Sequence, residues 1–255
     1  MEFIEKEEIL ENLPVAEDNN ISSYCIILTS TVAINPKKRF IYDTDGNSRL
    51  NTYVKSVKQW LDKTSFKIVL VENSGHKLPE LEEYFEKYKE RFELISFREE
   101  DIDNDTFDSV GAQAVRLPDD YLYTSKGTSE MFAIYYAYQQ SRLTKTSKFI
   151  IKITCRYFVP DFENFLKNIN PDDYFALRQN NSDNCEIVGS HVNNISDIFM
   201  PGHFRNSDGK WHHHIESVYK DRILTRVPEE RVIVCDVFQI EPTQQGGCNV
   251  LKTEL

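Results

Sequence analysis

At 255 residues, with 40% hydrophobic and 28% charged side chains, the chain can fill one full-sized core and is not a disordered segment. Its formal charge is 30 − 41 = −11 with no block of lysine or arginine, which argues against a nucleic-acid partner, because phosphate neutralisation supplies most of that affinity. The longest apolar runs, CIIL at 25–28 and KIVLV at 67–71, are strand-sized and far short of the ~20 residues of a membrane span.

The opening MEFIEKEEILENL is acidic and lacks an uninterrupted apolar core, so it does not fit a secretory signal. Residues 24–32, YCIILTSTV, are a buried-strand run rich in β-branched side chains. Polar and turn residues follow, and then Leu50, Tyr53, Val54, Val57, Trp60 and Leu61 recur at helical spacing. FKIVLVENSG (66–75) is a second strand ending in a turn. Pro79 suits a first helical position, ahead of a stripe of Leu81, Tyr84, Phe85, Tyr88 and Phe92; FELISF (92–97) is a third strand. Residues 99–125 are acidic and non-periodic, a long connection of the kind that is usually functional or mobile. KGTSEMFAIYYAYQQS (126–141) predicts a helix capped by Thr128 or Ser129, with Met131, Ile134, Tyr135 and Tyr138 on one face. KFIIKITCRYF (148–158) is the strongest strand after it; further strands are expected at 173–179, 185–190 and 231–238, and a helix around 211–223. The stretch 241–248 reads as an irregular loop with two adjacent glycines, suited to a lid over phosphates or to a plain surface tail.

Repeated strand–helix–strand order predicts one α/β, Rossmann-like domain over 1–255, with a mainly parallel sheet covered by helices on both faces. Ligands of such sheets bind beyond the carboxyl ends of the strands, which directs attention to Thr29–Val32, Glu72–Gly75 and Lys152–Arg156. The five cysteines are widely spaced and odd in number, so they read as reduced thiols and the expected localisation is cytoplasmic. The last four residues, Lys252 to Leu255, vary an ER-retrieval tail, which has no role without an entry signal. No GxGxxG, GxxxxGK[ST] or GxSxG occurs, which removes support for dinucleotide, P-loop and hydrolase-elbow chemistry.

IILTSTVAIN, RLNTYVKSVKQWL, VLVENSG and KGTSEMFAIYYAYQQS, in that order, resemble the GT-A glycosyltransferases, particularly the inverting, family-2-like enzymes. The resemblance covers residues 24–158 and implies a nucleotide-sugar-binding half there, with an acceptor half and C-terminal loop over 159–255. By position it implicates Thr29, Ser30, Glu72 and Asn73 in holding the base and ribose. Glu72–Gly75 is also a good turn in its own right. The resemblance implies transfer of a sugar from a nucleotide diphosphate to a glycan or glycoconjugate; a non-catalytic nucleotide-sugar- or glycan-binding relative is the alternative. A sugar-nucleotide pyrophosphorylase would need a glycine-rich basic loop after the first strand, which is lacking.

The chain departs from that family where an Asp-x-Asp is expected to hold a divalent cation. Here FIIKITCRYF puts Ile150, Lys152, Thr154 and Arg156 on one side of the strand and Ile151, Ile153, Cys155 and Tyr157 on the other. Lys152 and Arg156 can neutralise a diphosphate without a metal, Arg156 through a bidentate fork; pairing with acidic neighbours is the plainer alternative. Lys126 is a third candidate cation, and Thr154 falls on the same wall. No cofactor is expected, and a manganese or magnesium ion held elsewhere stays open. The acceptor hydroxyl needs a base, for which Glu216 is the candidate; His212 or His213 at its side could instead form a metal site with it.

Overall fold

Strand β1 (Tyr24–Ser30), a run with no charged residue, is buried along its whole length. The computed structural model describes residues 20–36, 38, 41–98, 101–102, 126–201 and 214–255. Around β1 lie β2 (Lys67–Glu72), β3 (Phe92–Ser96), β4 (Phe149–Thr154), β5 (Ala176–Arg178), β6 (Ile187–His191) and β7 (Val232–Val234). They form one seven-stranded sheet in the order β3-β2-β1-β4-β6-β5-β7. Only β6 runs against its neighbours, so the sheet is mainly parallel, as the alternation predicts.

Both faces are covered, because strand alternation sends successive side chains to opposite sides. Tyr24, Ile26 and Leu28 of β1 join Ile68, Leu70, Ile151 and Ile153 in one core. Cys25 and Ile27 join Val69, Val71 and Ile150 in the other. Helix α1 (Gly46–Lys63) closes the first face and is capped by Asp45, whose carboxylate accepts from the Asn47 amide at 2.9 Å. Its Trp60 is fully buried, packs edge-on against Phe158 at 5.1 Å, and donates through its indole N–H to the Tyr157 carbonyl. Burial of one such side chain is worth roughly 1.5–3 kcal/mol. Helices α3 (Lys126–Gln140), α6 (Ile195–Phe199) and α7 (Ile215–Arg226) contribute to the core on the second face. Among the described residues, no helix is long and apolar enough to cross a membrane.

Several expectations need adjusting. The helix expected from Pro79 onward is a 3-10 turn (Pro79–Leu81) followed by the short α2 (Glu82–Lys87), because the chain must turn back into β3 at Phe92. Thr128 and Ser129 are buried inside α3 and do not cap it. Helices α4 (Arg142–Lys145), α5 (Phe162–Leu166) and α6 were not expected, since none is long enough to show a helical period. Of the loop expected over 241–248, the first four residues are strand: β8 (Gln239–Gln244) pairs with β9 (Leu251–Glu254), and 245–248 with both glycines lie in the irregular turn between them. All five cysteines are free; four are buried, and Cys248 is exposed. Trp211, His212 and His213 lie outside the described residues, as does most of 99–125.

Candidate functional site

The sheet order creates the site. The chain steps from β1 to β2 and β3 on one side, then places β4 on the other side of β1. A crevice therefore opens at the carboxyl ends of β1 and β4, the usual ligand position in such sheets. A cavity of about 350 Å³ lies there, lined by Thr29, Ser30, Asn73, Thr154 and Arg156 from the strand ends. Lys126 and Glu130 of α3, Glu216 of α7 and Glu186 just before β6 complete its sides.

The floor is a closed ion pair. The Lys152 ammonium is wholly buried and lies 2.9 Å from Glu130 Oε1. It also donates to the Cys185 carbonyl at 2.6 Å and the Thr154 hydroxyl at 3.2 Å, and Thr29 donates its own hydroxyl to Glu130 at 2.8 Å. Burial raises the Glu130 carboxyl, but the adjacent Lys152 and the Thr29 hydroxyl outweigh it and hold the group below its ordinary value. Burial likewise lowers Lys152, and Glu130 more than reverses that, leaving it raised. Both groups are thus fixed in their charged forms.

The wall is built differently. Arg156, just beyond β4, has its guanidinium carbon 5.5 Å from the Tyr53 ring centroid and Nη1 3.6 Å from Asp43 Oδ2. Arg49 lies on the same ring, also at 5.5 Å, and donates from Nε to the Thr31 carbonyl at 2.7 Å. Burial lowers the Arg49 pKa, with Tyr53 opposing and Arg156 reinforcing that shift. From the hairpin, Gly246 packs against Arg156: a Cβ there would sit 3.1 Å from Nε, so the guanidinium would have to give by a few tenths of an ångström. The Gly246 carbonyl accepts from the Tyr42 amide at 3.0 Å, which ties the hairpin turn to the loop after β1. Lys252 of β9 forms an ion pair with Glu186.

At the mouth, Gly127 lets two helix N-termini meet. A Cβ on it would come within 2.6 Å of the Ile215 Cβ, so only glycine permits this approach. The contact sets Lys126 and Glu216, the neighbours of the two packed residues, on the same cavity.

Of the residues expected at the site, Thr29, Ser30, Asn73, Lys126, Thr154, Arg156 and Glu216 do line the cavity. Two others are turned to different tasks. Lys152 does not line it with Arg156, because its ammonium is enclosed by Glu130, Thr154 and the Cys185 carbonyl. Glu72 is fully buried, and its carboxylate accepts from the amides of Val32 at 2.9 Å, Ser74 at 3.0 Å and His76 at 2.7 Å. It organises two turns, including the one where Gly75 takes a φ of +82°, and that arrangement presents the neighbouring Asn73 to the cavity. Asn73 Oδ1 accepts from the Thr31 hydroxyl at 2.5 Å.

Sequence reasoning missed Arg49, Glu130 and Glu186. Arg49 had a signal: with Tyr53 and Val57 it completes the buried stripe of α1. Glu130 lies one helical turn after Lys126, inside an otherwise apolar and small-residue helix. Glu186 had none. The end of β4 does not fit a divalent cation, since its charged side chains are Lys152 and Arg156 where a metal needs oxygen donors. Among the described residues, no three His, Cys, Asp or Glu side chains gather in a way that could hold a metal ion.

No family model and no curated protein matches the chain. Solved structures do match, among them a crystal structure from Desulfovibrio desulfuricans G20 provisionally described as a nucleotide-diphospho-sugar transferase. It is 14% identical, with a TM-score of 0.41, over 84% of this chain and 79% of that one.

Proposed function

We propose that the chain transfers a sugar from a nucleotide diphosphate donor to a hydroxyl of a glycan or glycoconjugate, without a divalent cation. One observation carries this reading: a restrained arginine, Arg156, lines the crevice at the β1/β4 ends, where the GT-A resemblance would place metal-binding carboxylates. Breaking the bond between the anomeric carbon and the diphosphate oxygen leaves negative charge on that oxygen. A guanidinium oriented beforehand by Tyr53 and Asp43 can stabilise that charge without reorganising during the reaction. Lys126 adds a second cation at the mouth.

The remaining roles follow from position. Ser30 and Asn73 stand at the ends of β1 and β2, where base and ribose would lie. Glu130, kept ionised by Lys152, offers an acceptor for a donor hydroxyl or N–H. Glu216, on the first turn of α7, takes the proton of the acceptor hydroxyl as its oxygen bonds to the anomeric carbon.

The test is a thermal-shift screen of the full chain against nucleoside diphosphates, followed by donor turnover with candidate acceptors in EDTA. Ligand at 100 times its Kd stabilises by about 2.7 kcal/mol, well within detection. Binding of a nucleoside diphosphate with chelator-resistant turnover is expected. Binding without turnover of any donor would make the protein a nucleotide-sugar-binding relative. The reading is lost if no nucleoside diphosphate binds.

A further inference from the structure

A second cavity, of about 320 Å³, lies on the other side of Arg156, between helix α1 and strand β8. Its helical wall is a polar stripe: Thr52, Ser56, Gln59 and Lys63 recur at four, three and four residues, with Lys55 beside them. On a helix lying at the surface such a stripe would simply be solvated. Here the 241–244 stretch of β8 faces it across the space, and Phe158 and Pro160 contribute apolar surface.

Two features point to a ligand. The chain is strongly acidic overall, yet three cations line the groove: Lys55 pairs with Glu241 and Arg156 with Asp43, which leaves the Lys63 ammonium to a ligand. Lys63 is held over the Phe158 ring at 5.3 Å from its centroid. Independently, Ser56 is 2% exposed and its hydroxyl has no hydrogen-bond partner. A buried hydroxyl left unpaired is costly, and such groups are rarely tolerated without a ligand or water to satisfy them.

We propose that this groove is a second binding site, for a hydroxylated anion: a sugar carrying a carboxylate or a phosphate. Lys63 and Arg156 meet the anionic group, while Ser56, Thr52 and Gln59 meet hydroxyls. The site stands on its own cavity and does not depend on the nucleotide reading. Because Arg156 belongs to both walls, occupancy of one cavity alters the affinity of the other, and that coupling is reciprocal.

Calorimetry on the full chain tests this with three probes: a hexose 6-phosphate, a hexuronate and the neutral hexose. At least one anionic sugar is expected to bind, and the neutral hexose to bind much more weakly. Lys63→Gln and Ser56→Val should each weaken the anionic probe by about tenfold, the cost of losing one charge-assisted or buried polar contact. Lys63 is exposed, so Lys63→Gln leaves the fold intact even if Ser56→Val overpacks. Lys126→Ala, in the main cavity, should leave anionic-sugar binding unchanged. The proposal is overturned if neither anionic sugar binds, or if binding survives Lys63→Gln and falls with Lys126→Ala. Whether the phosphate or the carboxylate binds better identifies the source of the anion. A nucleoside diphosphate titrated separately is assigned to the main cavity only where its binding falls with Lys126→Ala and survives Lys63→Gln, so failure of the nucleotide reading leaves this site standing.

Discussion

The floor and the wall of the main cavity each set one basic side chain of the β4 region against one carboxylate from a distant element. On the floor, Lys152 and Glu130 are 2.9 Å apart, and three further hydrogen bonds from or to Thr29, Thr154 and Cys185 surround them. On the wall, Arg156 and Asp43 are 3.6 Å apart, and the guanidinium leans on an aromatic ring. A buried ion pair is stable only when its remaining donors and acceptors are also satisfied. The floor meets that condition internally for Lys152, and only the outer edge of Glu130 is left on the cavity. The wall is held more loosely, and Arg156 lines the cavity from it.

The largest effect should come from breaking the closed pair. Lys152→Met leaves the largely enclosed Glu130 without its cation, and a loss of about 3 kcal/mol is expected in urea denaturation. Adding Glu130→Leu should recover most of it. A single variant as stable as the parent would mean that the pair is no more closed than the wall.

Arg156→Ala should behave in the opposite sense. Turnover should fall by about a hundredfold to a thousandfold, the scale of one lost oxyanion-type contact, with less loss of stability than Lys152→Met. Arg156→Lys should restore only part, because lysine keeps the charge and loses the planar fork. Chelator-sensitive turnover together with a harmless Arg156→Ala would remove the wall from catalysis.

Glu216→Gln should lower turnover by about a hundredfold with donor affinity unchanged, the signature of a proton acceptor. Steady-state rates beside calorimetric donor binding check it, and near-normal turnover would assign the proton elsewhere. Smaller again is the contrast across the β2 turn. Asn73→Ala should weaken nucleotide binding by about tenfold while the melting temperature holds, reflecting one lost polar contact. Glu72→Ala should instead lower the melting temperature, because three amides lose their acceptor. Equal nucleotide affinity in Asn73→Ala and parent would take Asn73 out of the site.

The mildest test is pH. The Glu130 pKa is lowered on folding, so its contribution is complete above the unfolded carboxylate value of about 4.3 and is lost as pH falls through the folded value. Lys152 is raised, so its contribution is complete below about 10.4 and is lost as pH rises through the folded value. Thermal melts should show the floor insensitive to pH between those limits. The acid limb should be shallower in the double variant than in the parent; matching limbs would show that other carboxylates control it.

The strands of the parallel half were legible because each is a local run of aliphatic and β-branched residues bounded by turn residues, and their order implies parallel pairing. The side assignment along 150–157 was legible too, since alternation is a property of the backbone. Ile151, Ile153, Cys155 and Tyr157 share one core, and Ile150 belongs to the other. Alternation could not say what each side chain would meet. Lys152 and Arg156 are four residues apart with the same expected orientation, yet one is sealed by a glutamate 22 positions earlier and the other opens onto the cavity. The hairpin was illegible for a related reason: Gln239–Gln244 is polar and carries a proline, and its pairing with Leu251–Glu254 is set by contact across the turn.

By itself the sequence determined the α/β class, the mainly parallel sheet and the set of strand ends from which a site would be built, because all three follow from local hydrophobic pattern and turn chemistry. Tertiary structure alone decided which charges are paired and which are presented. Asp43 reaches Arg156, Glu130 reaches Lys152, and Gly246 backs the guanidinium only because the sheet order folds distant segments onto one crevice. Charge pairing depends on distance and burial, and neither is encoded in the spacing of residues along the chain.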